Sequence, residues 1–163
     1  MLPEEIVANL FKRHGLTLAT AESLTGGMVG ERVTSVPGAS AYYLGGVITY
    51  ATEAKRDVLG VSADVLRTDG PVSSRAASEM ALRASERFGS SVGVATTGVA
   101  GPAMQDGHPV GTLFVGICCH GQVRCLPFRG PDGSREEIRR WASEMALNAV
   151  IDAVRDARPV GDR

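Results

Sequence analysis

Three stretches of this 163-residue chain carry side chains able to do chemistry, each where an apolar run gives way to small and polar residues. The first is Ala21-Glu22-Ser23-Leu24-Thr25-Gly26-Gly27. A serine on a strand-to-helix turn presents its hydroxyl as a nucleophile elbow does, although Gly-x-Ser-x-Gly itself is absent. Amides that open a helix have no partner within it, so those of Thr25, Gly26 and Gly27 could hold an oxyanion or a phosphate. The plainer alternative is that Ser23 or Thr25 only caps the helix. The second stretch is Thr49-Tyr50-Ala51-Thr52-Glu53-Ala54-Lys55. Lysine is scarce, with Lys12 and Lys55 standing against fifteen arginines. A lysine can give up its proton in a buried site and an arginine cannot. Lys55 also falls near a helix start, where a cation gains nothing from the dipole. A base is therefore weighed against a solvated surface charge. The third stretch is Thr96-Thr97-Gly98-Val99-Ala100-Gly101-Pro102. Small residues let a ligand approach the backbone closely, though a Gly/Pro turn would read the same way.

Other motifs are excluded by spacing. Tyr50 and Lys55 are five apart rather than four, and neither Gly-x-Gly-x-x-Gly nor Gly-x-x-x-x-Gly-Lys-Ser/Thr occurs, which argues against dinucleotide and ordinary NTP-binding folds. His14, His108 and His120 are scattered without ligand spacing, so no metal is expected. Cys118, Cys119 and Cys125 form no Cys-x-x-Cys pair, and the first two sit in an apolar run where free cysteine packs as a small hydrophobe. Arg135 and Arg139 are four apart on the face of one helix and could clamp a phosphate, or could simply be solvated. Glu22 beside Ser23 could orient a substrate, although an acid near a helix start is the commoner case.

These residues need a scaffold. Pro3-Glu4-Glu5 followed by Ile6, Leu10 and Phe11 predicts a first helix ended by Gly15. Residues 16–21 read as a strand, 25–36 as a helix stopped by Pro37-Gly38, 46–50 as a strand and 52–59 as a short helix. Ala, Met and Leu recur at helical spacing over 73–88, with Ser73 as N-cap. Residues 92–97 form a buried-type strand, followed by a loop over 98–109. Residues 113–119 and 122–128 flank His120-Gly121 as a hairpin. Ser134, with Glu136 and Glu137, caps a final helix running to about Ala157, and the polar tail 158–163 is expected to fray. Helices alternating with short strands give an α/β layered domain, with the hairpin making the sheet mixed. The whole chain, 1–163, reads as one domain.

Composition sets the class. Hydrophobic residues are 44%, charged residues 21% and the net charge −1, which is ordinary for a globular domain. Basic residues are scattered rather than clustered, so nucleic acid is not expected as a partner. No apolar run reaches the roughly 20 residues a membrane helix needs, and residues 1–20 lack a signal-peptide pattern. With few cysteines and no export signal, a reduced, cytoplasmic setting is expected.

Taken together, the segments resemble the C-terminal domain family of the competence/damage-inducible protein CinA, whose active members are nicotinamide-nucleotide amidases. The resemblance runs through Ala21–Gly27, Val36–Ser40, Tyr50–Lys55, Gly70–Ser73, Thr97–Pro102, Pro109–Thr112 and Arg135–Arg139, in order and at matching spacing. It implies a three-layer α/β/α sandwich with a mostly parallel mixed sheet. It also implies hydrolysis of nicotinamide mononucleotide to nicotinate mononucleotide and ammonia, with no metal or organic cofactor. Ser23 corresponds to the nucleophile and Lys55 to its base. Tyr50 and Thr97 match polar residues of that site, and the arginines opening the last helix match ones associated with substrate. The expected catalytic set is Ser23, Lys55 and Tyr50, with Tyr50 as a possible proton relay. The expected binding set is Thr25, Gly26, Gly27, Thr97, Gly98, Gly101, Arg135 and Arg139. Two departures are visible. Thr52 stands where the family often has Asn, and Ala103–His108 replaces a Gly-rich loop carrying a Lys. The competing expectations are a nucleotide-binding sensor that does not hydrolyse, or a serine amidase for another small amide. A homodimer or larger homo-oligomer is also implied, for which the Ala-rich helix 73–88 could supply an interface.

Overall fold

Residues 1–157 are described here from a computed structural model; the tail expected to fray, 158–163, lies outside them. In chain order the helices are α1 (Pro3–His14), α2 (Met28–Ser35), α3 (Thr52–Ala54), α4 (Ala63–Thr68), α5 (Ser74–Phe88) and α6 (Arg135–Asp156). The strands are β1 (Leu18–Glu22), β2 (Tyr43–Ile48), β3 (Val92–Gly98), β4 (Thr112–Cys119) and β5 (Gln122–Arg129). A short 3-10 turn, Ala39–Ala41, precedes β2, and a π-type turn, Lys55–Leu59, continues α3.

Every strand belongs to one sheet, in the order β2-β1-β3-β4-β5. β1 pairs in parallel with β2 and β3, while β3–β4 and β4–β5 are antiparallel, the last pair being the hairpin closed at His120-Gly121. Helices α1, α2 and α6 cover one face and α5 the other, which makes three layers. Val7, Phe11, Leu18, Val29, Val33, Leu113, Leu147 and Val150 pack on the α6 side, and Ala19, Ala21, Met80, Ala81, Ala84 and Ala95 on the α5 side.

Helix termini follow the chemistry of the sequence. The Ser73 and Ser134 hydroxyls accept from the amides of Ala76 and Glu137, and Gly15 ends α1 in the left-handed region at φ 62°. The alanine face of α5 is not an interface. Ala76, Ala77, Ala81 and Ala84 are buried on the sheet so tightly that a Cβ on Gly116 would meet the Ala77 carbonyl oxygen at 2.0 Å. Small residues on both sides permit that approach, and it is the reason the helix is Ala-rich.

Four elements differ from the sequence expectation, α2 by beginning at Met28 rather than at residue 25 and the helix expected over 52–59 by being a short α3 continued by a π-type turn. α4 lies in a stretch for which the sequence predicts no element, because it has no strong apolar period. β2 begins three residues earlier than expected, because Gly45 and Gly46 carry no side chain to show alternation. Each is glycine for packing: a Cβ would meet Phe88 at 2.6 Å on Gly45 and the Thr20 hydroxyl at 2.0 Å on Gly46.

From β1 the chain passes to β2 on one side, and β3 lies on the other. The crevice outside the carboxyl ends of β1 and β3 is therefore where a ligand site is expected in such a sheet. Ser23 and Gly98–Gly101 leave those two strands together.

Candidate active site

Ser23 is the first residue past β1 and Lys55 the first past α3; the fold brings them into contact. Lys55 Nζ lies 2.9 Å from Ser23 Oγ. Its other two donors go to the backbone carbonyls of Thr49, at 2.7 Å, and Tyr50, at 3.2 Å. Lys55 is 1% exposed, and among the described residues no carboxylate pairs with it. Burial in the absence of a counter-charge disfavours the ammonium and pulls its pKa from the usual 10.5 down to about 8. With two N–H bonds held by carbonyls, the lone pair of the neutral amine points at the Ser23 hydroxyl. Such an arrangement is able to pass a serine hydroxyl proton to a neutral lysine.

The turn carrying Ser23 is fixed from three directions. The Ser23 amide donates to the Thr96 carbonyl at 3.1 Å, and Thr96 Oγ1 lies 2.8 Å from Thr25 Oγ1. Glu22 folds its carboxylate back onto the start of α2, accepting from the amides of Gly27, Val29 and Gly30 at 3.2, 2.8 and 3.0 Å. From α6, Arg139 donates to the carbonyls of Leu24 and Thr25 at 2.8 and 3.2 Å. Gly27 must be glycine in this turn, since its φ is 106°.

These contacts correct part of the expected binding set. The α2 N-terminus is not open to a ligand, because Glu22 already occupies it, and the Gly26 amide is taken by the Ser23 carbonyl at 3.0 Å. Thr25 is fully buried, and Arg139 is spent on the turn. Thr25, Gly26, Gly27 and Arg139 therefore hold the turn that carries Ser23 rather than line the cavity. The amides with no partner among the described residues are those of Leu24 and Thr25. Leu24 directly follows Ser23, and in a nucleophile elbow the residue after the serine supplies an oxyanion donor.

Ser23 and Lys55 open onto a cavity of about 560 Å³, its mouth included. Its walls include Leu24, Tyr50, Pro71, Thr97, Gly98, Gly101, Gln105 and Arg135. Thr97, Gly98, Gly101 and Arg135, from the expected binding set, line this cavity. The Thr97 hydroxyl is turned to the Pro71 carbonyl at 2.6 Å. Tyr50 is corrected in role. Its hydroxyl faces Arg135 at 2.9 Å on the rim, and the residue is 60% exposed. What it offers Lys55 is its backbone carbonyl, so no proton relay through the phenol is needed. Arg135 also donates to the Gly101 carbonyl, bridging the two sides of the mouth. Among the described residues, no Asp, Glu or His lines the cavity, and no group of His, Cys, Asp and Glu could hold a metal ion.

Sequence reading missed Thr49, Thr96, Pro71 and the Leu24 amide. All but Thr96 act through backbone atoms, which residue type does not reveal. Thr96 could have been found, because alternation along β3 places it and Thr97 on opposite faces.

The chain's relatives bear on this site. The model of the CinA C-terminal domain matches residues 2–154. A CinA-like protein of Frankia casuarinae is 46% identical over 147 residues, covering 90% of this chain and 34% of that protein. Another from Geotalea daltonii is 44% identical over 146 residues, covering 89% of this chain and 35% of the other. The chain thus spans about a third of the length of these curated relatives. Among solved structures, the competence damage-inducible protein A (ComA) of Klebsiella pneumoniae superposes with a TM-score of 0.92 at 30% identity, over 97% of this chain and 100% of that one. The competence/damage inducible protein CihA of Agrobacterium tumefaciens does so with a TM-score of 0.86 at 37% identity, over 94% and 95%. The chain belongs to the CinA C-terminal domain family.

Proposed function

We propose that this chain is a serine–lysine amidase that hydrolyses nicotinamide mononucleotide to nicotinate mononucleotide and ammonia. The observation that carries the reading is the buried 2.9 Å contact between Lys55 Nζ and Ser23 Oγ, with no carboxylate among the described residues to hold the lysine charged. A lysine serving only as a structural cation would be expected to face an acid; this one faces a hydroxyl and two carbonyls.

Ser23 Oγ attacks the carboxamide carbon, and its proton passes to the neutral Nζ of Lys55. With a pKa of about 8, roughly one lysine in ten is neutral at pH 7 and half at pH 8. The oxyanion forms beside the Leu24 amide, where one such donor is worth about 3–4 kcal/mol. The C–N bond then breaks, Lys55 returns the proton to nitrogen, and ammonia leaves an ester on Ser23. Water attacks that ester, giving its proton to Lys55, and the C–O bond to Ser23 breaks as Lys55 reprotonates the serine. Nicotinate mononucleotide departs. Arg135 at the mouth supplies positive charge for the substrate's phosphate.

Ammonia release from nicotinamide mononucleotide by the wild type and by Ser23→Ala tests the reading. Turnover by the wild type alone supports it. Calorimetric binding without turnover would replace it with a nucleotide sensor. Turnover retained in Ser23→Ala would place the chemistry elsewhere.

A further inference from the structure

The cavity beside Ser23 has a proton shuttle but no group dedicated to selecting water. Lys55 Nζ has two of its donors fixed on the Thr49 and Tyr50 carbonyls, so one direction remains for proton exchange, toward Ser23 Oγ. Among the described residues, no Asp, Glu or His lines the cavity to bind and orient a hydrolytic water apart from that direction. The departing amine and the incoming nucleophile must therefore use the same place, next to Lys55, one after the other. A place shaped to release ammonia accepts a molecule of ammonia's size and hydrogen bonding. We infer that this chain is also an acyltransferase, moving the acyl group from Ser23 to small neutral amines of the hydroxylamine class. The inference rests on the proposed acyl-enzyme and extends it to a second acceptor.

The step balances without a further reactant. The amine nitrogen attacks the Ser23 ester carbonyl and its proton moves to neutral Lys55. The new C–N bond forms, the C–O bond to Ser23 breaks, and Lys55 returns that proton to Ser23 Oγ. With hydroxylamine the product is a hydroxamate, and no oxidant or reductant is consumed. Ammonia itself is mostly protonated at neutral pH and is a poor acceptor there, whereas hydroxylamine is mostly the free base. The Tyr50–Arg135 rim is open on the solvent side, and Tyr50 is largely exposed, so a two-heavy-atom amine has a path to Lys55.

The test uses the intact chain with two acyl donors, nicotinamide mononucleotide and 4-nitrophenyl acetate, each with increasing hydroxylamine at pH 7. Hydroxamate is read by its ferric complex after subtraction of the enzyme-free reaction, and ammonia or nitrophenol is read in parallel. The expected result is hydroxamate rising in proportion to hydroxylamine at the expense of the acid product, and falling at least a hundredfold in Ser23→Ala. Release of ammonia or nitrophenol with no hydroxamate from either donor overturns the transfer activity while the hydrolase stands. Hydroxamate from the ester but none from the nucleotide, with no ammonia, keeps the transfer activity and removes the nucleotide as substrate. Silence with both donors overturns transfer and hydrolysis together.

Discussion

Replacing Lys55 by Met should change the protein's stability relative to wild type by an amount that depends on pH in a calculable way. Burial takes the lysine from 10.5 to about 8, and at 1.36 kcal/mol per decade the charged form costs the fold about 3 kcal/mol. Below pH 8 the lysine is protonated in both the folded and unfolded chain, so the whole cost is present. Between about 8 and 10.5 the unfolded chain binds a proton that the folded chain does not, so stability rises with pH. Above 10.5 both forms are neutral and the cost is gone. Methionine has no such term. All other titrating groups are shared, and the hydrogen bonds lost to the Thr49 and Tyr50 carbonyls do not depend on pH, so both cancel in the change of the difference. Between pH 7 and pH 10 the wild type should gain about 2.5 kcal/mol over Lys55→Met. Urea unfolding of both proteins at each pH unit, with equal slopes, measures it. A flat difference would mean that Lys55 titrates as a solvated lysine. A difference moving the other way would mean that the site holds the ammonium, and the lysine could not be the base.

The remaining predictions concern rate and packing. The kcat/KM for nicotinamide mononucleotide should rise about tenfold per pH unit below 8 and level off above it, tracking neutral Lys55; a profile flat from pH 6 to 8 would contradict this. Arg139→Met removes two hydrogen bonds from the Ser23 turn and should lower kcat roughly 10- to 100-fold with little change in KM, as steady-state kinetics would show. Glu22→Gln weakens the acceptor of three amides at the start of α2 and should lower stability by about 1–2 kcal/mol, read by urea unfolding. Gly116→Ala drives a methyl into the Ala77 carbonyl and should destabilise by about 3 kcal/mol, seen as a thermal midpoint lower by roughly 6–12 °C.

Much of the fold was legible because the signals were local. Ser73 and Ser134 as caps, Gly15 as a stop and His120-Gly121 as a hairpin turn each act through their own neighbours, and each stands as read. The chemistry-bearing residues were legible for a different reason. One of two lysines among fifteen arginines and a serine between strand and helix are conspicuous by type, so Ser23 and Lys55 could be singled out and the family resemblance could assign them roles. What sequence could not show was who occupies a backbone group. The amides opening α2 seemed open, yet the side chain of Glu22, seven and eight residues back from Val29 and Gly30, fills them. Arg139 looked like a phosphate ligand because its type suits one, but it reaches across 115 residues to the Leu24 carbonyl instead. Tyr50 looked like a relay because of its hydroxyl, and contributes its carbonyl. Long-range partners and main-chain contributions leave no mark on residue type.

The proposed chemistry requires a covalent intermediate on Ser23, formed with Lys55 as base. Mass spectrometry of the protein, acid-quenched during turnover of nicotinamide mononucleotide, tests it most directly. The account predicts a nicotinate mononucleotide ester on the peptide containing Ser23 in the wild type, none in Ser23→Ala, and little in Lys55→Arg, which keeps the charge but cannot take the proton. An ester that forms as readily in Lys55→Arg, or one found on another residue, would contradict it.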